Sequence, residues 1–168
     1  MRYVLYIVGV LVALVLVVAI TGAMLPVKHT VTREATYRAT PAQLFALIRN
    51  TSEYPAWQRS VRSVEQLPDT NGNPRFRETN NGSAVTYVLE EVVPEQRMVS
   101  RIADPSLPFG GAWTYELVPR GDATTLRITE NGAVYNVIFR FVSRFVMGHS
   151  ATIVTYLKAV GTRYAEVS

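Results

Sequence analysis

Three side chains in this sequence are of the right type and placement to handle a proton: Glu130, Glu78 and His149. Glu130 falls on the same alternate set as Leu126 and Ile128, Glu78 shares parity with Phe76, and His149 lies within an apolar helical repeat. A carboxyl drawn into an apolar interior favours its acid form, and beside an imidazole it can serve general acid–base work. The plainer arrangement, which the pattern favours, puts Glu130 at a wet strand end, pairs Glu78 with a neighbouring arginine and leaves His149 as a satisfied core residue. No nucleophile–base pair comes from His149 and Ser150, because adjacent helix positions point different ways. The chain has no cysteine, no Gly-rich phosphate loop and only two histidines, His29 and His149. A thiol nucleophile is thereby excluded and a histidine-based zinc cluster disfavoured, so neither metal nor cofactor is expected. The formal charge of +4 is spread through pairs such as Arg33-Glu34. Nothing in it reads as a nucleic-acid patch, and Arg101 and Arg127, on the opposite strand parity, are expected in solvent.

The elements that must position these groups follow from periodicity. Val31, Arg33, Ala35 and Tyr37 alternate with Thr32, Glu34, Thr36 and Arg38 as one half-exposed strand. Thr40 then offers an N-cap and Pro41 a first helical residue, ahead of the apolar face Leu44, Phe45, Leu47 and Ile48. A second short helix is expected through Tyr54 and Trp57. From Val61 the pattern predicts strands at 61–67, 75–79, 83–93, 97–103, 112–118 and 123–131. They are joined by turns at 68–73, Asn80-Asn81-Gly82, Pro94-Glu95 and 119–122. Apolar residues at spacings of three and four, from Ile138 through Phe141, Phe145, Ile153 and Tyr156 to Tyr164, predict one continuous helix over 136–165.

Residues 1–27 read differently. Between Tyr3 and Val27 there is no charge, and the run exceeds the roughly 20 residues that a bilayer core of about 30 Å requires. A cleaved signal peptide is the rival reading, since Thr21-Gly22-Ala23 offers small residues. Signal cores run only about 7–15 residues behind a more basic start than Met1-Arg2, so a retained transmembrane helix is preferred. Its basic flanks are nearly balanced, and the very short leading tail favours residues from 28 onward on the extracytoplasmic side. The expected division is 1–27 for the helix and its flanks and 28–168 for the domain.

The order of strand, two small helices, six strands and a last helix resembles the START-like or SRPBCC superfamily. Local residues carry the likeness. The stretch Ala39-Thr40-Pro41-Ala42-Gln43-Leu44-Phe45 followed by Tyr54-Pro55-Ala56-Trp57 resembles its helical entry. Trp113-Thr114-Tyr115-Glu116-Leu117 followed by Thr124-Thr125-Leu126-Arg127-Ile128 resembles its last hairpin. The resemblance implies an α+β helix-grip fold, a seven-stranded antiparallel sheet wrapped around the C-terminal helix with an apolar cavity between them. Expected to line that cavity are Phe76, Tyr87, Leu89, Met98, Trp113, Tyr115, Leu126 and Ile128 on the sheet. Facing them are Phe141, Phe145, His149, Ile153 and Tyr156 on the helix. Each is equally suited to plain core. The loop 104–111, with Leu107 and Phe109 expected to be exposed, suits a cavity entrance, a membrane-dipping tip or a segment folded back on the core. The implied function is binding, extending to transfer, of a hydrophobic small molecule (a lipid, quinone or polyketide-like compound) at a bilayer. The alternatives are a polyketide cyclase- or dehydratase-like enzyme using Glu130, Glu78 or His149, and a ligand-free interaction domain.

Overall fold

A computed structural model describes residues 2–148 and 150–167. The apolar run forms helix α1, Arg2–Met24. At 1.5 Å per residue its 23 residues measure about 35 Å, enough to cross a bilayer core. Its most apolar stretch has a mean hydropathy of 3.0, and none of that stretch is buried in the protein.

Strand β1, Lys28–Tyr37, follows almost at once. Helix α2, Pro41–Arg49, starts with a reciprocal cap: Gln43 N donates to the Thr40 hydroxyl and Thr40 N donates to the Gln43 side chain. A single 3-10 turn leads into α3, Tyr54–Trp57. Then come β2 (Ser63–Thr70), β3 (Asn73–Thr79), β4 (Ala84–Val93), β5 (Arg97–Ile102), β6 (Phe109–Arg120) and β7 (Ala123–Val134). The sheet order is β2-β3-β4-β5-β6-β7-β1-β8, in which β8 is the two-residue strand Glu166–Val167 beside β1. The expected seven strands therefore gain a short eighth.

Three expectations about boundaries change. The turn foreseen at 68–73 shrinks to Asn71-Gly72, both at positive φ, and β2 runs on through Pro68 to Thr70. A proline fits there because β2 is an edge strand, where a missing N–H breaks no ladder bond. Strands β6 and β7 extend to Phe109 and Val134, so residues 109–111 are strand and not loop.

The third change is the largest. The C-terminal helix is not continuous: α4 (Val137–Val142) runs into a π-helical turn (Ser143–Met147), stops at Gly148 with φ +74°, and resumes as α5 (Ala151–Gly161). The two arms meet at 53°. Gly148 reaches a left-handed conformation that would strain any other residue, and its N–H returns to the Ser143 carbonyl at 3.0 Å.

The core lies between the sheet and α2, α3 and α5. Tyr37, Leu44, Ile48, Leu126, Ile128, Ile153 and Val160 are wholly buried there. Hydroxyls pin the layers together: Tyr37 donates to the Leu157 carbonyl at 2.7 Å, and Tyr54 donates to that of Ile48 at 2.6 Å.

Candidate functional site: a cavity walled by sheet and broken helix

Strand alternation puts Phe76, Glu78, Tyr87, Trp113, Tyr115 and Glu130 on the concave face of the sheet, and Tyr156 of α5 faces them. Together they wall a cavity of about 510 Å³. That lies inside the roughly 300–1,000 Å³ usual for small-molecule sites. Its largest side chains are aromatic: Phe76 stacks on Tyr87 at 5.3 Å, and the Tyr156 ring lies 5.7 Å from both Trp113 and Tyr115. The exposed residues Ser60, Gly148, Ala151, Thr152 and Thr155 form a rim along the helix break. Among the described lining residues there is no lysine or arginine.

Polar groups reach the cavity in two places. Near the foot of α1, Glu130 is held at both oxygens: Trp113 Nε1 donates to one at 2.9 Å, and His29 Nε2 meets the other at 3.0 Å. Trp113 and Glu130 are direct cross-strand partners, and Gly132 leaves space into which the His29 ring fits. The carboxylate is thus fixed in orientation with an imidazole against it. Toward α3, the cavity meets Glu78, Asn80, Gln58 and Tyr156. Burial pushes the Glu78 carboxyl above its ordinary range, with a hydrogen bond from Asn80 opposing part of the effect. The hydroxyls of Tyr54, Tyr87, Tyr115 and Tyr156 are all pushed upward, chiefly by burial, so each stays neutral at physiological pH.

Of the residues expected to line the cavity, the structure brings together Phe76, Tyr87, Trp113, Tyr115 and Tyr156, with Glu78 and Glu130 beside them. Leu89, Met98, Leu126, Ile128 and Ile153 do not reach it. They are packed as solid core, none more than 3 % exposed. Phe141 and Phe145 are displaced by the helix break: their rings pair at 4.9 Å, Phe141 beside α1 and Phe145 59 % exposed. His149 lies outside the described residues. Neither Leu107 nor Phe109 is an exposed tip. Leu107 is half-buried, while Phe109 begins β6, lies 6.0 Å from Phe139 and lines the cavity. Among the described residues no arginine pairs with Glu78, whereas Arg101 and Arg127 are in solvent as expected, on Glu90 and Glu34 at 2.8 Å.

His29, Gln58, Asn80 and Phe139 went unrecognised as wall residues in the sequence. His29 alone carried a signal, because it shares the inward parity of Val31, Ala35 and Tyr37.

At the other side of the broken helix, Arg140 is buried and reaches across to α1. Its guanidinium donates to the carbonyls of Gly22 (3.1 Å), Leu25 (3.0 Å), Val134 (3.1 Å) and Tyr135 (3.2 Å). At Gly22 the helices approach so closely that a Cβ would run into the Val137 carbonyl.

The same fold occurs in solved structures. A START superfamily protein from Mycobacterium smegmatis superposes with a TM-score of 0.63 at 17% identity, over 80% of this chain and 96% of that one. A protein of Thermus thermophilus gives 0.65 at 21% identity, over 80% and 96%. The Zhui aromatase/cyclase from Streptomyces gives 0.63 at 14% identity, over 81% and 93%. No curated protein matches the chain. Across residues 28–156, from the first strand to the tyrosine of α5 that faces the cavity, the chain belongs to the family described as polyketide cyclase / dehydrase and lipid transport.

Proposed function

We propose that this protein binds an apolar small molecule at a membrane to which α1 anchors it, with the folded domain on the extracytoplasmic side. The observation that carries this reading is the cavity itself: about 510 Å³, aromatic-walled and without a lining lysine or arginine among the described residues. A filled interaction domain would have no such space. Retention of α1 is supported by Arg140. Cleavage after Ala23 would separate Gly22 from Leu25, the two α1-side carbonyls that this buried guanidinium holds. Loss of α1 would remove the Gly22 carbonyl, one of the four that hold this guanidinium in place, and uncover the face of α4 that Gly22 packs against, a contact with no purpose in a cleaved leader.

The membrane supplies a source for the ligand. The segment that walls the cavity with Phe139 and Ser143 turns Ile138, Phe145 and Val146 outward beside the foot of α1, 48 %, 59 % and 73 % exposed. Passage between bilayer and cavity would then avoid open water.

A second reading has its own support. Glu130, oriented by Trp113 and against His29, is placed to exchange a proton with a cavity-bound polyketide-like compound, as a cyclase or dehydratase would require. One experiment covers both. The full chain, purified in detergent from membranes, is analysed by native mass spectrometry. The expected result is an intact N-terminus and a co-purifying apolar compound, unchanged in mass when Glu130→Gln replaces wild type. Release of the domain by buffer defeats the anchor. An empty cavity defeats binding. A ligand that differs chemically between wild type and Glu130→Gln favours the enzyme.

A further inference from the structure

Hydrogen-bonding capacity at the α3 end of the cavity is left unused. Among the described residues, buried side-chain atoms without a well-formed hydrogen bond are Trp57 Nε1, Gln58 Nε2, Asn80 Oδ1 and Tyr156 OH, the last with only the Tyr54 and Tyr115 hydroxyls close by. Three of these four side chains line the cavity, and Gln58 and Tyr156 are only 7 % and 6 % exposed. A buried polar atom without a partner costs roughly 1–3 kcal/mol, so a cluster of them on a cavity wall is the imprint of a group that completes it. The cluster is built, not incidental. Gln58 sits at the C-terminal end of α3, where its N–H is tied to the Tyr54 carbonyl at 2.7 Å. Tyr156 is wedged between Trp57 and Trp113 at 5.4 and 5.7 Å. Asn80 continues the face of β3 that carries Phe76 and Glu78.

Charge narrows what the group is. The ionisable residues lining the cavity are His29, Glu78, Glu130 and four tyrosines, and His29 already holds Glu130. An anion at the α3 end would meet the Glu78 carboxyl and no lysine or arginine. A cation has the same carboxyl as its one acidic neighbour there, and burial favours that carboxyl's neutral form. A neutral group that accepts from Gln58 Nε2 and the Tyr156 hydroxyl has neither difficulty.

We propose that Gln58 and Tyr156, with Asn80 beside them, form the recognition point for an uncharged carbonyl or hydroxyl on an otherwise apolar ligand. Resting on the binding reading above, this selects ketone-, quinone- or alcohol-bearing amphiphiles over free fatty acids and plain hydrocarbons. The Gln58 amide and the Tyr156 hydroxyl donate to the carbonyl oxygen, and Asn80 Oδ1 accepts when the ligand carries a hydroxyl instead.

The test uses the full chain in detergent with two probes, decyl methyl ketone carrying an isotope-labelled carbonyl, and dodecane. Binding of both is measured first, and the infrared carbonyl stretch of the bound ketone second. The expected result is a stretch at lower frequency than in protein-free micelles. In Tyr156→Phe combined with Gln58→Met the ketone should bind about tenfold more weakly and its stretch should return to the micelle position, while dodecane affinity stays unchanged. Tyr156→Phe alone, the conservative change, should give an intermediate shift, and it carries the test if the double variant melts early. Failure of both probes to bind defeats the cavity reading, and this inference with it. Binding of the ketone at its micelle frequency, or equal loss of both probes in the variants, defeats the recognition point and leaves the cavity standing.

Discussion

Glu78 shows how one residue reports the character of the cavity. It lies on the concave face of β3 with no cation as partner among the described residues, and burial is the main cause of its raised pKa. A carboxyl whose folded pKa exceeds its unfolded value binds its proton more tightly in the native state. Its contribution to stability is therefore full below the unfolded value and is lost as pH climbs through the folded one. The wild-type melting temperature should fall relative to Glu78→Gln as pH rises from the ordinary carboxyl range toward neutrality, with the two converging at the acid end. Parallel melting curves across that range would show Glu78 to be solvated in solution. Residue by residue, the sequence was informative wherever an element has a period. Alternation put Phe76, Tyr87, Trp113 and Tyr115 on the face that walls the cavity, but the favoured reading left Glu130 at a wet strand end, whereas it is half-buried between Trp113 and His29. Gln58 sits just beyond the end of α3, where no period assigns a direction, and Asn80 falls in a stretch that reads as a turn although it continues the alternation of Phe76 and Glu78.

Among the elements, the broken helix is the one that the sequence concealed. Apolar spacing runs through Phe141, Phe145 and Ile153 without a phase change large enough to notice, and a lone glycine inside a helical pattern is tolerated. The π-helical turn at Ser143–Met147 and the positive φ at Gly148 separate one helix from two. The break has consequences that a straight helix could not give: it opens the cavity rim at Gly148 and Ala151, and it lays α4 against α1. The contact between α4 and α1 rests on Arg140, whose positive charge also meets the negative end of the α1 dipole. Arg140→Met in the full chain should cost on the order of 3 kcal/mol, read as a lowered thermal midpoint in detergent. Gly22→Leu should act on the same contact from the other side, because its Cβ cannot coexist with the Val137 carbonyl. The two changes made together should cost little more than the larger one alone. Full additivity would mean that Arg140 and Gly22 serve separate purposes.

At the scale of the whole molecule, the clamp between Arg140 and α1 gives the proposed anchor a second role. A domain on a loose tether would tumble, and its cavity would face lipid only in passing. Here the last turn of α1 is bonded to the same segment that walls the cavity, so under the anchoring proposed above the orientation of the helix in a bilayer would set the orientation of the cavity. That segment shows Phe139 and Ser143 to the cavity and Ile138, Phe145 and Val146 to the outside. The exposed loop tip expected at Leu107 and Phe109 is absent, and the outward apolar face lies on this segment instead. Each outward side chain contributes roughly 1.5–3 kcal/mol if fully inserted into lipid, enough to seat the wall against the bilayer once α1 holds it nearby. Phe145→Ser with Val146→Ser should therefore leave the affinity for decyl methyl ketone in detergent unchanged, since neither side chain lines the cavity. It should slow by several-fold the transfer of a pyrene-labelled alkyl ketone from donor vesicles to the reconstituted protein, followed by pyrene emission. Leu107→Ser made alone should leave that rate at the wild-type value. Equal rates for wild type and the Phe145/Val146 variant would mean that the ligand enters through the open rim at Gly148 and Thr152, and that the outward face of the broken helix has no part in loading.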